Sequence, residues 1–437
     1  MLIRVAAFVA LAIACDGYLP AQSSDDTQLK QVIIFGRHAV RTPNTAGSVL
    51  NNFSVLPYPS FPVPGLSVIT PNGTTNEALL GGYFRLWLTQ EKLLTGNDAA
   101  DSPFVYLRAD GAPLIIATAQ AFDAGLLPAG QAPVTSTSSA DPLFHPVDAG
   151  IAQLNEDMAV AAVNGRLGGN PQALATAYAP EIALLRSVLL NYPAGTAPPP
   201  ATPSGKLDVT AAPITVTAGT SSALAVNLGG LLTIGAALDP FIMEYADGMP
   251  LSDVAWGALN AGGIGHVYRL YDRTLDLEYR TPYLARVMNS NLAAHIARTL
   301  VQSATGDSVR GALGTPSDKV IGLIASNFNI AGLAGLLNLD WLAPGYQADV
   351  AAPGGALVFE LRQSPASGRF VVRAVYITQT LDQLRNQTPL TLAAPPAIAP
   401  VFLPGCSMDN ATFDCPLDRF VIWVERTLDL NSIDLDQ

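Results

Sequence analysis

The chain has 437 residues, of which 49% are hydrophobic and only 13% charged, and its formal charge is −12. That length supports a large core and two domains, and the acidic balance with no basic stripe excludes a nucleic-acid partner. Any phosphate site must be a local positive pocket set against an acidic background. At the amino end, Arg4 followed by the apolar run Val5 to Ala14 reads as an export signal over residues 1–22, too short to span a bilayer. Two processing routes are open. Cleavage near Ala21-Gln22-Ser23 gives a soluble periplasmic or secreted protein, whereas Leu11-Ala12-Ile13-Ala14-Cys15 resembles a lipobox, so that lipidation at Cys15 is the one route to a membrane. Either route leaves Cys406 and Cys415, a pair expected to form a disulfide in an oxidising compartment, with two free thiols as the other reading. The C-x8-C spacing does not suit a metal, and no metal or cofactor is expected.

A strand is expected at Gln31 to Phe35, then a Pro-, Ser- and Asn-rich loop from Pro43 to about Gly73, and a helix from Thr75 to Leu94 carrying Leu79, Tyr83 and Trp87 at four-residue steps. A second strand, Phe104 to Ala109, leads to a helix ending near Gly125. From 148 to 271 the chain becomes Ala- and Leu-rich and helical, interrupted by a Pro-, Ala- and Thr-rich loop over 193–222. Leu224 to Met243 reads as a buried helix; a membrane span is disfavoured by Asp239 and Pro240. A helix opens at Pro282 and runs to about Gln302, followed by a strand from Lys319 to Ala325 and a helix after Asn327. Leu357 to Leu361 and Phe370 to Ile377 read as an antiparallel pair turning at Ser367-Gly368. The pattern implies an α/β fold. A three-layer mixed-sheet domain (29–147 and 272–430), with helices on both faces, would carry a mainly helical insert domain (148–271).

The chemistry concentrates in Arg37-His38-Ala39-Val40-Arg41-Thr42-Pro43, directly after the first strand. An imidazole between two guanidinium groups at a strand end suits attack on phosphorus, with Arg37 and Arg41 holding the phosphoryl oxygens. No G-x-S-x-G elbow or P-loop occurs, and His145, His266 and His295 are scattered and read as structural or exposed.

The motif R-H-x-x-R-x-P resembles the signature of the histidine acid phosphatases, in the clade of bacterial phytases and glucose-1-phosphatase. Further likenesses run along the chain: Leu66 to Gly73, Asp141-Pro142-Leu143-Phe144, Glu244 to Pro250, Tyr279-Arg280-Thr281-Pro282, Pro353 to Glu360, Thr378 to Arg385, and the Cys406 and Cys415 pair, which sits where a family disulfide does. The resemblance covers about Leu29 to Thr427. It implies phosphomonoester hydrolysis through a phosphohistidine at His38.

Two family features have no counterpart. The family's A-D-x-x-x-R-T segment matches Ala109-Asp110-Gly111-Ala112-Pro113-Leu114, which puts Leu114 where a third arginine belongs, followed by Ile115 and Ile116. Arg108 is the nearest replacement cation, or else an ordinary strand-end arginine. The G-H-D-T-N turn matches Ala325-Ser326-Asn327-Phe328-Asn329, so Asn327 stands where the general acid belongs, and an amide has no proton to yield. Asp110 is then the surviving carboxylate for that role, or the cap of the helix that follows. Asp110, Leu114 and Asn327 are the further pocket candidates. The sequence thus leads to a weak phosphatase or, alternatively, a non-catalytic binder of a small phosphorylated or other anionic molecule; His38 serving a different reaction is a third option.

Overall fold

The computed structural model describes residues 25–436 except 138–139, 200–201, 204 and 222–223. The export signal and Cys15 lie outside the described residues. Strand β1 (Gln28–Arg37) occupies the middle of an eight-stranded mixed sheet. On one side it pairs in parallel with β6 (Val320–Ala325), which pairs in parallel with β2 (Val105–Ala109), which in turn pairs with β3 (Val134–Ser136). On the other side β1 pairs antiparallel with β7 (Ala356–Gln363) and β7 with β8 (Phe370–Thr378); β8 also pairs with β9 (Ala397–Val401) and β10 (Cys415–Pro416).

Alternation along β1 builds the layers. Val32 and Ile34 pack with Leu80, Phe84, Phe122 and Leu126 of helices α1 (Pro71–Gln90) and α2 (Pro113–Leu126). Ile33 and Phe35 point the other way, into the core holding Leu292, Ile296, Ile330 and Leu333 of later helices. The sheet is therefore covered on both faces, as expected. Helix α1 begins at Pro71 rather than Thr75: Thr70 caps it by accepting the Gly73 amide, and Pro71 fills the first turn, where no amide is needed.

Residues 148–271 are less purely helical than expected. Helices α3 (Glu156–Arg166) and α4 (Ala179–Leu189) are followed by an antiparallel hairpin, β4 (Ile214–Ser221) with β5 (Leu224–Gly229). The expected loop over 193–222 thus ends in a strand. The expected helix over Leu224 to Met243 is a strand and then a helix, α5 (Gly230–Ala246), separated at Gly229, whose φ of +58° breaks the run. Among the described residues no helix is long and apolar enough to cross a membrane. Helix α6 (Ala261–Tyr279) begins in this stretch and runs out of it, and α7 (Pro282–Thr305) then returns the chain to β6, after which comes α8 (Asn327–Leu336). A disulfide joins Cys406 and Cys415.

Candidate active site

Three parallel strands, β1, β2 and β6, end side by side, and their carboxyl ends are where an α/β sheet opens a crevice. The residue after β1 is His38. Its amide donates to the Ala325 carbonyl at the end of β6 (2.9 Å), and its own carbonyl accepts from the Gly354 amide (3.1 Å). The nucleophile candidate is thereby pinned from β6 on one side and from the Gly354 loop leading into β7 on the other. Packing against two nearby glycines is close, and at Gly73 glycine is required. A Cβ at Gly36 would stand 3.0 Å from Ile324 Cδ1, and one at Gly73 would stand 2.2 Å from the Val40 carbonyl oxygen, where α1 abuts the motif.

His38 is 4% exposed, and its Nδ1 lies 2.9 Å from the Ala39 carbonyl. A carbonyl only accepts, so Nδ1 carries the proton and the Nε2 lone pair is free. Burial, with the charges of Arg37 and Arg41 adding to it, pushes the imidazole pKa well below the ordinary histidine range. The ring is consequently neutral near pH 7, as a nucleophile must be.

The two arginines differ. Arg41 makes a two-pronged ion pair with Asp239 of α5, at 2.9 and 3.0 Å. Arg37 is 1% exposed and donates from Nη1 to the Ala351 carbonyl (2.6 Å), but its Nε and Nη2 have no hydrogen-bond partner. A buried guanidinium with unspent donors is costly unless an anion completes it.

His38 and Arg41 open onto a cavity of about 680 Å³. Leu114, Ile115 and Asn327 line it, as do Ser326 and Phe328; Ile116 instead packs with Ala109, Ala119 and Ile324. Asn327 donates to the Tyr271 hydroxyl (3.2 Å), while Ser326 and Asn329 form the capping box of α8. Asp110 departs from both roles foreseen for it. It is not among the lining residues, and α2 is preceded by Ala112 with no side-chain cap. Its carboxylate instead meets His145 Nε2 at 2.9 Å. Burial opposes charge on His145, but the hydrogen bond and charge of Asp110, together with Asp148 and Asp141, outweigh it and raise its pKa. Arg108 is spent on Asp141 at 2.6 and 3.0 Å and does not replace a pocket cation. His295 bridges the Gly311 and Asp434 carbonyls, a structural role.

The opposite wall was not foreseen. Leu232, Gly235, Ala236 and Asp239 of α5 line the cavity, as do Tyr271, Thr274, Leu275 and Glu278 of α6. Both sets follow the i, i+3, i+4, i+7 spacing of a single helix face. Phytase AppA of Escherichia coli (strain K12) is 31% identical to this chain over 416 residues, covering 92% of each protein. The chain belongs to the histidine acid phosphatase family. Glucose-1-phosphatase of Salmonella typhimurium is 28% identical over 423 residues, covering 95% of this chain and 97% of that one. The structure of Hafnia alvei phytase in complex with tartrate superposes on this histidine acid phosphatase with a TM-score of 0.83 at 31% identity, covering 94% of this chain and 99% of that one. No family model matches the chain.

Proposed function

We propose that this chain hydrolyses phosphomonoesters through a phosphohistidine on His38, with Arg37 and Arg41 holding the phosphoryl oxygens. The observation that carries the proposal is the buried Arg37 guanidinium, two of whose donor nitrogens are unspent, beside an imidazole kept neutral. Nε2 attacks phosphorus, the ester P–O bond breaks, and water then cleaves the P–N bond to release phosphate and regenerate the ring. The tartrate in the Hafnia alvei phytase supports a small anionic ligand.

Turnover is slow in this reading. Leu114 leaves one fewer cation at the developing oxyanion, a loss of about 10²–10³ in rate. The substrate class follows from the same wall. Arg41 is already paired with Asp239, so the site suits a single phosphate on a partly apolar body, contacting Leu114, Ile115 and Phe328, rather than a polyphosphate. Residues 148–271 act as an insert domain supplying the α5 side of the far wall and Tyr271, while Thr274, Leu275 and Glu278 come from the continuation of α6 beyond it. The protein is exported, in keeping with its first 22 residues and its disulfide. Leu114 and Asn327 also favour a second reading, a binder that does not turn its ligand over.

Hydrolysis of p-nitrophenyl phosphate by wild type and by His38→Ala separates the two readings. The phosphatase reading expects turnover that disappears in the variant, together with an acid-labile phosphoenzyme in the wild type. Equal rates in both proteins, with phosphate binding retained, would establish the binder.

A further inference from the structure

The family's general-acid turn carries an amide here, Asn327, and Asp110 is held by His145 away from the cavity. The reaction still needs a proton for the departing alkoxide. Among the described residues the cavity wall carries two carboxyl groups, Asp239 and Glu278. Asp239 is occupied by both prongs of Arg41. Glu278 is 4% exposed, forms no salt bridge, and has an Oε1 that is buried without a hydrogen-bond partner.

Resting on the phosphatase reading, we infer that Glu278 of α6 is the proton donor to the leaving group, taking over from the strand-end turn. Its place in the last helical turn sets its carboxyl against the negative end of the α6 dipole, which favours the protonated form. Burial acts in the same direction and pushes its pKa up to about 8. The charged and titratable groups sharing the cavity are Arg41 and His38 after β1, Asp239 of α5, and Tyr271 and Tyr279 of α6 itself. None of them acts appreciably on that shift, which is a burial effect. At neutral pH the site thus pairs a neutral imidazole with a neutral carboxylic acid, the two protonation states the first step requires.

The protons balance over the cycle. As His38 Nε2 bonds to phosphorus and the ester oxygen leaves, Glu278 gives that oxygen its proton and becomes a carboxylate. Water then attacks the phosphohistidine, the carboxylate takes the proton it sheds, the P–N bond breaks, and phosphate leaves with both residues restored.

The test uses Glu278→Gln, which keeps size and neutral charge but has no acidic proton, with two substrates. The first is p-nitrophenyl phosphate, whose leaving group needs little protonation, and the second is glycerol 2-phosphate, whose leaving group needs much. The expected result is a stoichiometric p-nitrophenol burst whose rate changes less than about fivefold, while glycerol release falls on the order of 10²–10⁴-fold. The upper limb of the wild-type kcat/KM profile for glycerol 2-phosphate, near pH 8, should disappear in the variant. The retained burst also shows that the variant is folded. A variant that releases glycerol at the wild-type rate, or that loses both substrates equally while circular dichroism shows it folded, overturns the assignment of Glu278 and leaves the phosphatase reading intact. No His38-dependent turnover of either substrate by the wild type overturns both.

Discussion

The two walls of the cavity are built on different principles. The strand-end wall takes its chemistry from one short segment: Arg37, His38 and Arg41 fall within five positions, His38 and Arg41 line the cavity, and the main chain of Arg37 and His38 is held by bonds from β6 and from the Gly354 loop. The helical wall takes residues spread over about two turns of each of α5 and α6, and its two carboxyl groups meet opposite fates. Asp239 is paired with a guanidinium, whereas Glu278 is buried without an ion pair. A helical face separates groups by a turn, so each can be given its own environment. A contiguous motif places its charges close together, and His38 feels both of its arginines.

The largest effect that can break this contrast is on stability. Asp239→Ala leaves Arg41 as a buried, unpaired cation and should cost about 3–5 kcal/mol in urea unfolding. Glu278→Gln should cost far less at neutral pH, because it replaces an already neutral group. Equal losses in the two variants would erase the distinction between the carboxyl groups. A smaller effect tests the strand-end wall. Leu114→Arg, at a lining position in the first turn of α2, should raise kcat/KM for an alkyl phosphate by about tenfold to a hundredfold if a missing oxyanion donor limits the rate. No gain, with the fold intact, would mean that charge at this position is not limiting. The smallest effect is a titration. Because burial and the two arginines lower the His38 pKa, its ring should remain neutral as the pH falls through 6.5, and its Cε1 proton resonance should titrate only below that value. A midpoint at or above 6.5 would show that the imidazole is not shielded as the structure places it.

The strand-end wall was legible in the sequence because its residues are neighbours and follow a hydrophobic strand. The central strands and the disulfide were legible for similar reasons: a run such as Val32 to Phe35 needs no distant information to be read. The helical wall was not. Tyr271, Thr274, Leu275 and Glu278 share a face, but that spacing alone does not say whether the face meets a core or a cavity. The role of Asp110 depended on His145, 35 residues away, which local reading cannot bring to it. The hairpin β4–β5 carried a local signal, the Ile214-Thr215-Val216-Thr217 alternation, but Pro- and Ala-rich neighbours obscured it. The helix start at Pro71 was likewise signalled by Thr70-Pro71, and the more prominent spacing of Leu79, Tyr83 and Trp87 drew the boundary inward.

Strand β1 is hydrogen-bonded along both edges, in parallel to β6 and antiparallel to β7, and lies between the two cores that cover the sheet. Edge elements such as β3 and β10 can fray without disturbing it, whereas moving β1 means parting the parallel half of the sheet from the antiparallel half. Amide protons in such a strand exchange only when the whole molecule opens. The backbone that positions His38 is therefore expected to be among the last parts of this protein to be lost on heating.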